Sequence, residues 1–173
     1  MFSPTEISRL LAILAAKLDD RGVVATITVV GGATMGYVYD ARPSTRDVDA
    51  LLQPKDAVLE AAAEVADAES LPDDWLNDKF AMFWPHHGEP DLSHIERHGT
   101  VTIQYAGPRI MLAMKMLASV RGRRDADDLV HLIEPAGIVN VEEAIEIFED
   151  FYRDHDIPPQ ALVVISAALQ ARE

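Results

Sequence analysis

Apolar residues at Ile7, Leu10, Leu11, Leu14 and Leu18 recur at the three-and-four spacing that gathers side chains on one helical face. Ser3-Pro4-Thr5-Glu6, just ahead of them, has the form of a capping box with proline at the first helical position. The pattern therefore predicts an amphipathic helix ending near Asp20 to Gly22. Val23 to Val30 is rich in β-branched residues and bounded by glycines, which predicts a largely buried strand. Gly31-Gly32 forces a tight turn after it. Ala33 to Tyr39 reads as a short helix, Ala41 to Arg46 as a polar loop around Pro43, and Asp47 to Leu52 as a second strand stopped before Pro54. An alanine-rich helix follows over Lys55 to Ala68, closed by the turn at Leu71-Pro72. Lys79 to Trp84 and Thr100 to Ala106 read as further strands separated by a histidine-rich loop. From Pro108 the periodicity is helical: Pro108 to Ala118, Arg124 to Glu134, a helix opened by the capping pair Asn140 and Glu143 and running to about Arg153, and a last helix from Pro158. Strands interleaved with helices and then a helical run predict an α+β fold, with one mixed sheet over residues 1-106 and a C-terminal helical subdomain over 107-173.

Composition narrows the chemistry. The chain has 173 residues, enough for one compact domain with a small appendage. It contains no cysteine, which excludes disulfides, thiolate metal sites and cysteine nucleophiles. The longest uncharged apolar run, Val23 to Gly36, is too short to cross a bilayer, and the N-terminus lacks a basic-then-apolar leader, so a cytoplasmic protein with no membrane partner is expected. A net charge of -14 argues against loose binding to nucleic acid, which depends on many Lys and Arg side chains displacing counterions. Arg109, Lys115, Arg121, Arg123 and Arg124 nevertheless form an acid-free basic stretch, able to grip a phosphate.

Asp47 and Asp49 stand two apart on a predicted strand and so share a face. Neighbouring carboxylates repel unless a cation joins them, and hard oxygen ligands at a strand end suit Mg²⁺, with Mn²⁺ as a substitute, completed by water and substrate phosphates. Just upstream, Gly31-Gly32 ends a buried strand and opens a helix, where backbone can approach a phosphate and helical N-H groups point at it. Ser44 and Thr45 add hydroxyl donors beside that turn.

Val30-Gly31-Gly32-Ala33, followed by Arg42-Pro43-Ser44-Thr45-Arg46-Asp47-Val48-Asp49, resembles the signature of minimal nucleotidyltransferases of the AbiEii and MenT toxin group, in the DNA-polymerase-β-like superfamily. Leu112-Ala113-Met114-Lys115-Met116-Leu117-Ala118, with Arg121 and then Arg124-Asp125-Ala126-Asp127-Asp128-Leu129, is similar to that group's second signature, and the likeness spans about residues 28 to 133. The resemblance implies a polymerase-β-like core in which Gly31 and Gly32 hold the triphosphate, Asp47 and Asp49 bind Mg²⁺, and Lys115, from the C-terminal subdomain, supports the phosphates at the active-site cleft. It makes Arg46 and Arg121 candidate phosphate or acceptor contacts, and makes Asp125 or Asp128 either an orienter of Lys115 or a further acid. The implied activity is transfer of a nucleoside monophosphate from NTP to an acceptor. The group's association with tRNA 3′ ends and with cognate antitoxins makes tRNA the expected acceptor and an antitoxin the expected partner.

Two departures accompany the likeness. Most of the superfamily has Gly-Ser where this chain has Gly31-Gly32, and fourteen residues separate Gly32 from Asp47, slightly more than in compact members. The superfamily's third carboxylate usually lies on a later strand, but Thr100 to Ala106 offers only Gln104, so either a helical aspartate substitutes or one metal suffices. Plainer readings stand beside these. Lys115 lies among Met111, Leu112, Met114, Met116 and Leu117, where a lysine usually snorkels to water. Asp125 suits the first turn of a helix on dipole grounds alone. His86, His87, His94 and His98 with Asp91 follow no standard zinc spacing and read as a polar loop, while Trp75 and Trp84 read as core anchors. The alternatives to tRNA are a protein or small-molecule acceptor, such as an antibiotic, and a non-catalytic binding module.

Overall fold

A computed structural model describes residues 1 to 172, with the Arg121 side chain set aside. The chain forms an α+β fold with a five-stranded mixed sheet and a C-terminal helical region, divided into two compact units. Met1–Met82 with Leu92–Ala106 make the first, and Phe83–Asp91 with Gly107 onward make the second.

In the first unit, α1 (Pro4–Asp20) opens on the capping box read from sequence, the Ser3 hydroxyl accepting from Glu6 N–H while the Glu6 carboxylate accepts from Ser3 N–H. β1 (Ala25–Val30) lies at the centre, antiparallel to β2 (Val48–Gln53) and parallel to β5 (Val101–Ala106). β3 (Leu76–Asn77) runs parallel to β2 at one edge, and β4 (Leu92–His98) runs antiparallel to β5 at the other. Between β1 and β2 stands the short helix α2 (Gly31–Tyr37), and after β2 the helix α3 (Lys55–Glu69). Alternation along the strands sends Ile27, Val29, Ala50, Leu52, Ile103 and Tyr105 into a core with the apolar faces of α1 and α3. The opposite face of the sheet carries Thr28, Asp49, Leu51 and Gln104, with Gln104 donating from its amide to Thr28 Oγ1 at 2.9 Å.

Two strand-and-loop readings are corrected. Lys79–Phe83 is a 3₁₀ turn, not a strand, because Lys79 N–H is taken by Asn77 Oδ1 at 3.1 Å and Ala81 N–H by Asp78 O at 2.9 Å, local bonds that compete with a ladder. The second half of the supposed histidine-rich loop, Leu92–His98, is strand. β4 and β5 form a hairpin whose turn at Gly99-Thr100 is tied down by Asp19, which accepts from Thr100 N–H at 2.7 Å and from its hydroxyl at 2.9 Å. The backbone N–H foremost, and then the hydroxyl, hold the Asp19 carboxyl below its ordinary range.

The second unit contains α4 (Pro108–Ala118), α5 (Arg123–Leu132), α6 (Val141–Phe151) and α7 (Pro159–Gln170). α4 packs on α5 and α6, and α5 on α7, around Ile110, Met111, Leu129, Leu132, Phe148 and Ile165. Asn140 caps α6 by accepting from Glu143 N–H, but Glu143 reaches Val139 N–H instead of closing the capping box on Asn140. Phe83–Asp91 belongs here for identifiable reasons. The Tyr152 hydroxyl donates to Phe83 O at 2.6 Å, and the Asp91 carboxylate accepts from Arg109 and Ile110 N–H, both at 3.0 Å, satisfying two donors at the start of α4.

Candidate functional site

The glycine turn and the aspartates come together in the first unit. α2 begins at Gly31 itself, with no separate turn before it, and Gly31 sits at φ +65°, a conformation that favours glycine. A Cβ on Gly31 would stand 3.2 Å from Asp49 Oδ2, because Val30 and Asp49 are register partners across β1 and β2. Gly32 meets different neighbours: a Cβ there would stand 2.7 Å from Thr45 Oγ1 and 3.2 Å from an Arg42 guanidinium nitrogen, so one of these side chains would have to shift. Thr45 is fixed by a two-residue bridge to the N-terminus, Phe2 N–H donating to Thr45 O at 2.6 Å and Thr45 N–H to Phe2 O at 2.9 Å. Ser44 lies half-buried in the same loop, and Arg46 is exposed.

Asp47 differs from its sequence reading in one respect. β2 starts at Val48, so Asp47 precedes the strand, and its placement comes from the side chain of Asn77 rather than from strand alternation. The Asn77 amide lies 3.4 Å from Asp47 Oδ2, and Asn77 is the register partner of Asp49 in β3. Among the described residues no lysine or arginine pairs with Asp47. Asp47 and Asp49 are both half-buried, and carboxylates are the ligand type of a hard, hydrated cation that takes its remaining oxygens from water and substrate. They do not make a closed structural metal centre, and no group of three or more histidine or carboxylate side chains able to hold an ion occurs among the described residues. His94 and His98 fall in β4, His86 and His87 in the other unit, where His87 faces Asp154 at 3.8 Å.

The second signature forms an ion triad in the helical unit. Lys115 Nζ lies 2.7 Å from Asp125 Oδ1 and 2.8 Å from Asp128 Oδ2, and its side chain is only 5% exposed. The lysine therefore does not snorkel to water. Asp125 and Asp128, one turn apart on α5, reach the same ammonium because residues three apart share a helical face. Of the other cations in this stretch, Arg109 lies 3.6 Å from Asp150, Arg123 and Arg124 are exposed, and the Arg121 side chain lies outside the described residues.

Sequence reasoning missed Arg42 and Asn77. Arg42 stood in the quoted signature but was passed over for Arg46; the proximity of its guanidinium to Gly32 depends on how the Ala41 to Arg46 loop folds back. Asn77 had no signal at all, since a two-residue strand leaves no periodicity. No family model, curated protein or solved structure matches this chain.

Proposed function

We propose that the protein is a polymerase-β-like, Mg²⁺-dependent nucleotidyltransferase, moving a nucleoside monophosphate from NTP to a hydroxyl acceptor with release of pyrophosphate. The observation that carries this reading is the packing of the glycine turn directly against the Asp47 and Asp49 loop and strand, with Thr45 and Arg42 closing over Gly32. The two sequence signatures give it its family context.

A divalent cation held by Asp47 and Asp49 would neutralise charge on the triphosphate and polarise its α-phosphate. The chain's own groups do the positioning. The Gly31-Gly32 backbone leaves room for phosphate oxygens, while Thr45 and Arg42 supply a hydroxyl and a guanidinium at that turn. Lys115 is the group that the likeness assigns to the phosphates; its ammonium is held by Asp125 and Asp128, so it would serve them only on leaving that triad. The acceptor oxygen bonds to the α-phosphorus as the bond to the β-phosphate bridge breaks; pyrophosphate leaves and the hydroxyl proton passes to solvent. The favoured setting is the toxin of a toxin-antitoxin pair acting on tRNA 3′ ends. The net charge of -14 favours a second acceptor class, a protein hydroxyl or a small molecule, because it disfavours extended contact with RNA.

The test supplies each of four α-labelled NTPs with Mg²⁺ to total RNA, soluble protein and small-molecule acceptors. Label that depends on Asp49 is expected, and the fraction that carries it names the acceptor. Mg²⁺-NTP binding without transfer to any fraction would instead indicate a binding module.

A further inference from the structure

Asn77 is 7% exposed and is held from three sides. Its strand is anchored by Trp75, fully buried, whose indole N–H donates to Ala62 O at 3.0 Å and whose carbonyl accepts from Val48 N–H at 2.7 Å. That bond sets the parallel register in which Leu76 faces Val48 and Asn77 faces Asp49. The side-chain oxygen of Asn77 accepts from Lys79 N–H at 3.1 Å. An N–H facing the amide nitrogen would set two donors against each other, so this bond fixes which end of the amide is which. The NH₂ group is left directed at Asp47 Oδ2, 3.4 Å away.

From this arrangement we infer that Asn77 is a positioning residue of the cation site: its amide, locked by Lys79 N–H, orients the Asp47 carboxylate while leaving its charge for a divalent ion. The inference rests on the transferase reading given above and adds to it the residue that aims Asp47. A lysine in this place would neutralise the carboxylate and compete with the metal, as Lys115 does for Asp125 and Asp128; an amide polarises one oxygen and carries no net charge. Asp47 needs such a partner because it lies just outside β2, where ladder bonds do not fix its backbone.

The experiment measures Mn²⁺ binding to the full chain from the loss of the free-ion electron paramagnetic resonance signal, without nucleotide, for wild type, Asp49→Ala, Asn77→Leu and Asn77→Asp. Unfolding midpoints of all four are recorded alongside. Asn77→Leu keeps the volume and removes the donor, and is expected to weaken Mn²⁺ binding by about tenfold, the lower end of the loss seen when a residue supporting a ligand is removed. Asn77→Asp keeps an acceptor for Lys79 N–H and turns a second oxygen toward the ion, so it is expected to tighten binding by about the same factor. A new carboxylate raises cation affinity by charge alone, so the loss in Asn77→Leu at an unchanged unfolding midpoint is what separates orienting Asp47 from a purely structural role. Affinities within about twofold of wild type in both variants, or a shift of both in one direction, overturn the inference while leaving the reading of Asp47 and Asp49 intact. Should Asn77→Leu fail to fold, Asn77→Asp must still bind more tightly than wild type. Absence of Asp49-dependent Mn²⁺ binding in the wild type defeats the transferase reading, and the inference with it.

Discussion

Asp125 and Asp128 close on an ammonium that is almost wholly buried, whereas Asp47 meets the amide of Asn77. Both arrangements restrain carboxylates, but they leave different amounts of charge unspent. In the helical unit the cation is part of the chain, so removing it takes an ion-pair partner from two acids at once. At the glycine turn the restraint on Asp47 is neutral, so on the proposed reading the charge of Asp47 is kept for a cation. The contrast is between carboxylates held by a cation of the chain and a carboxylate held by a neutral amide, although both lie in short Asp-containing motifs.

The largest effect should come from Asp49→Ala. Transfer from labelled NTP is expected to fall by about 100-fold or more, because metal-borne charge stabilisation is worth several kcal/mol and each ~1.4 kcal/mol is tenfold in rate. The melting temperature should stay within about 3 °C of wild type, which calorimetry would check. Lys115→Met tests the other side of the comparison. It should cost about 3 kcal/mol in urea unfolding at neutral pH, the lower end of what removing one partner of a buried ion pair costs. A loss below about 1 kcal/mol would mean that the triad is no firmer than a surface ion pair, and the comparison would break.

Gly32→Ala is expected to have an intermediate effect. Its new methyl must displace Thr45 or Arg42 and should cost about 1–3 kcal/mol, together with a weakening of NTP binding that equilibrium dialysis would register. The smallest effect belongs to an exposed counterpart of the triad. Glu64 takes Arg21 and Lys17 between α3 and α1, and their hydrogen bonds, that of Arg21 foremost, bring its pKa down from 4.5 to about 2. A depressed carboxyl stabilises the fold above its unfolded value and loses that contribution as pH falls through its folded value. Glu64→Gln should therefore melt slightly below wild type at pH 7, with the gap closing between pH 4.5 and about 2. Added salt should narrow the same gap, since exposed pairs are screened.

Much of the fold was legible because long segments repeat a period. The 3.6-residue stripe and capping box of α1, the β-branched run of β1 and the apolar spacing of α4 each announce an element without tertiary help. Elements defined by a few distant bonds were not legible. β3 exists through Trp75 and two register pairs, and β4 reads poorly because its burial does not alternate cleanly and a bulge falls between Ser93 and Glu96. The candidate site divides in the same way. Gly31, Gly32, Asp47, Asp49, Lys115, Asp125 and Asp128 carry short-range spacing that sequence exposes. Asn77, thirty residues from Asp47, is brought to it only by folding.

The same two edge strands bear on how the molecule behaves in company. A sheet offers its outermost strands as templates for other chains, and long, flat, apolar edges invite polymerisation. Here one edge is only two residues long, and the other is kinked at His94, whose φ is +47°, with Glu96 and Arg97 just beyond. An incoming strand would find too little backbone at the first edge and a broken, charged row at the second. The construction that brings Asn77 to Asp47 thus also gives the sheet a short edge, a feature that discourages edge-to-edge pairing.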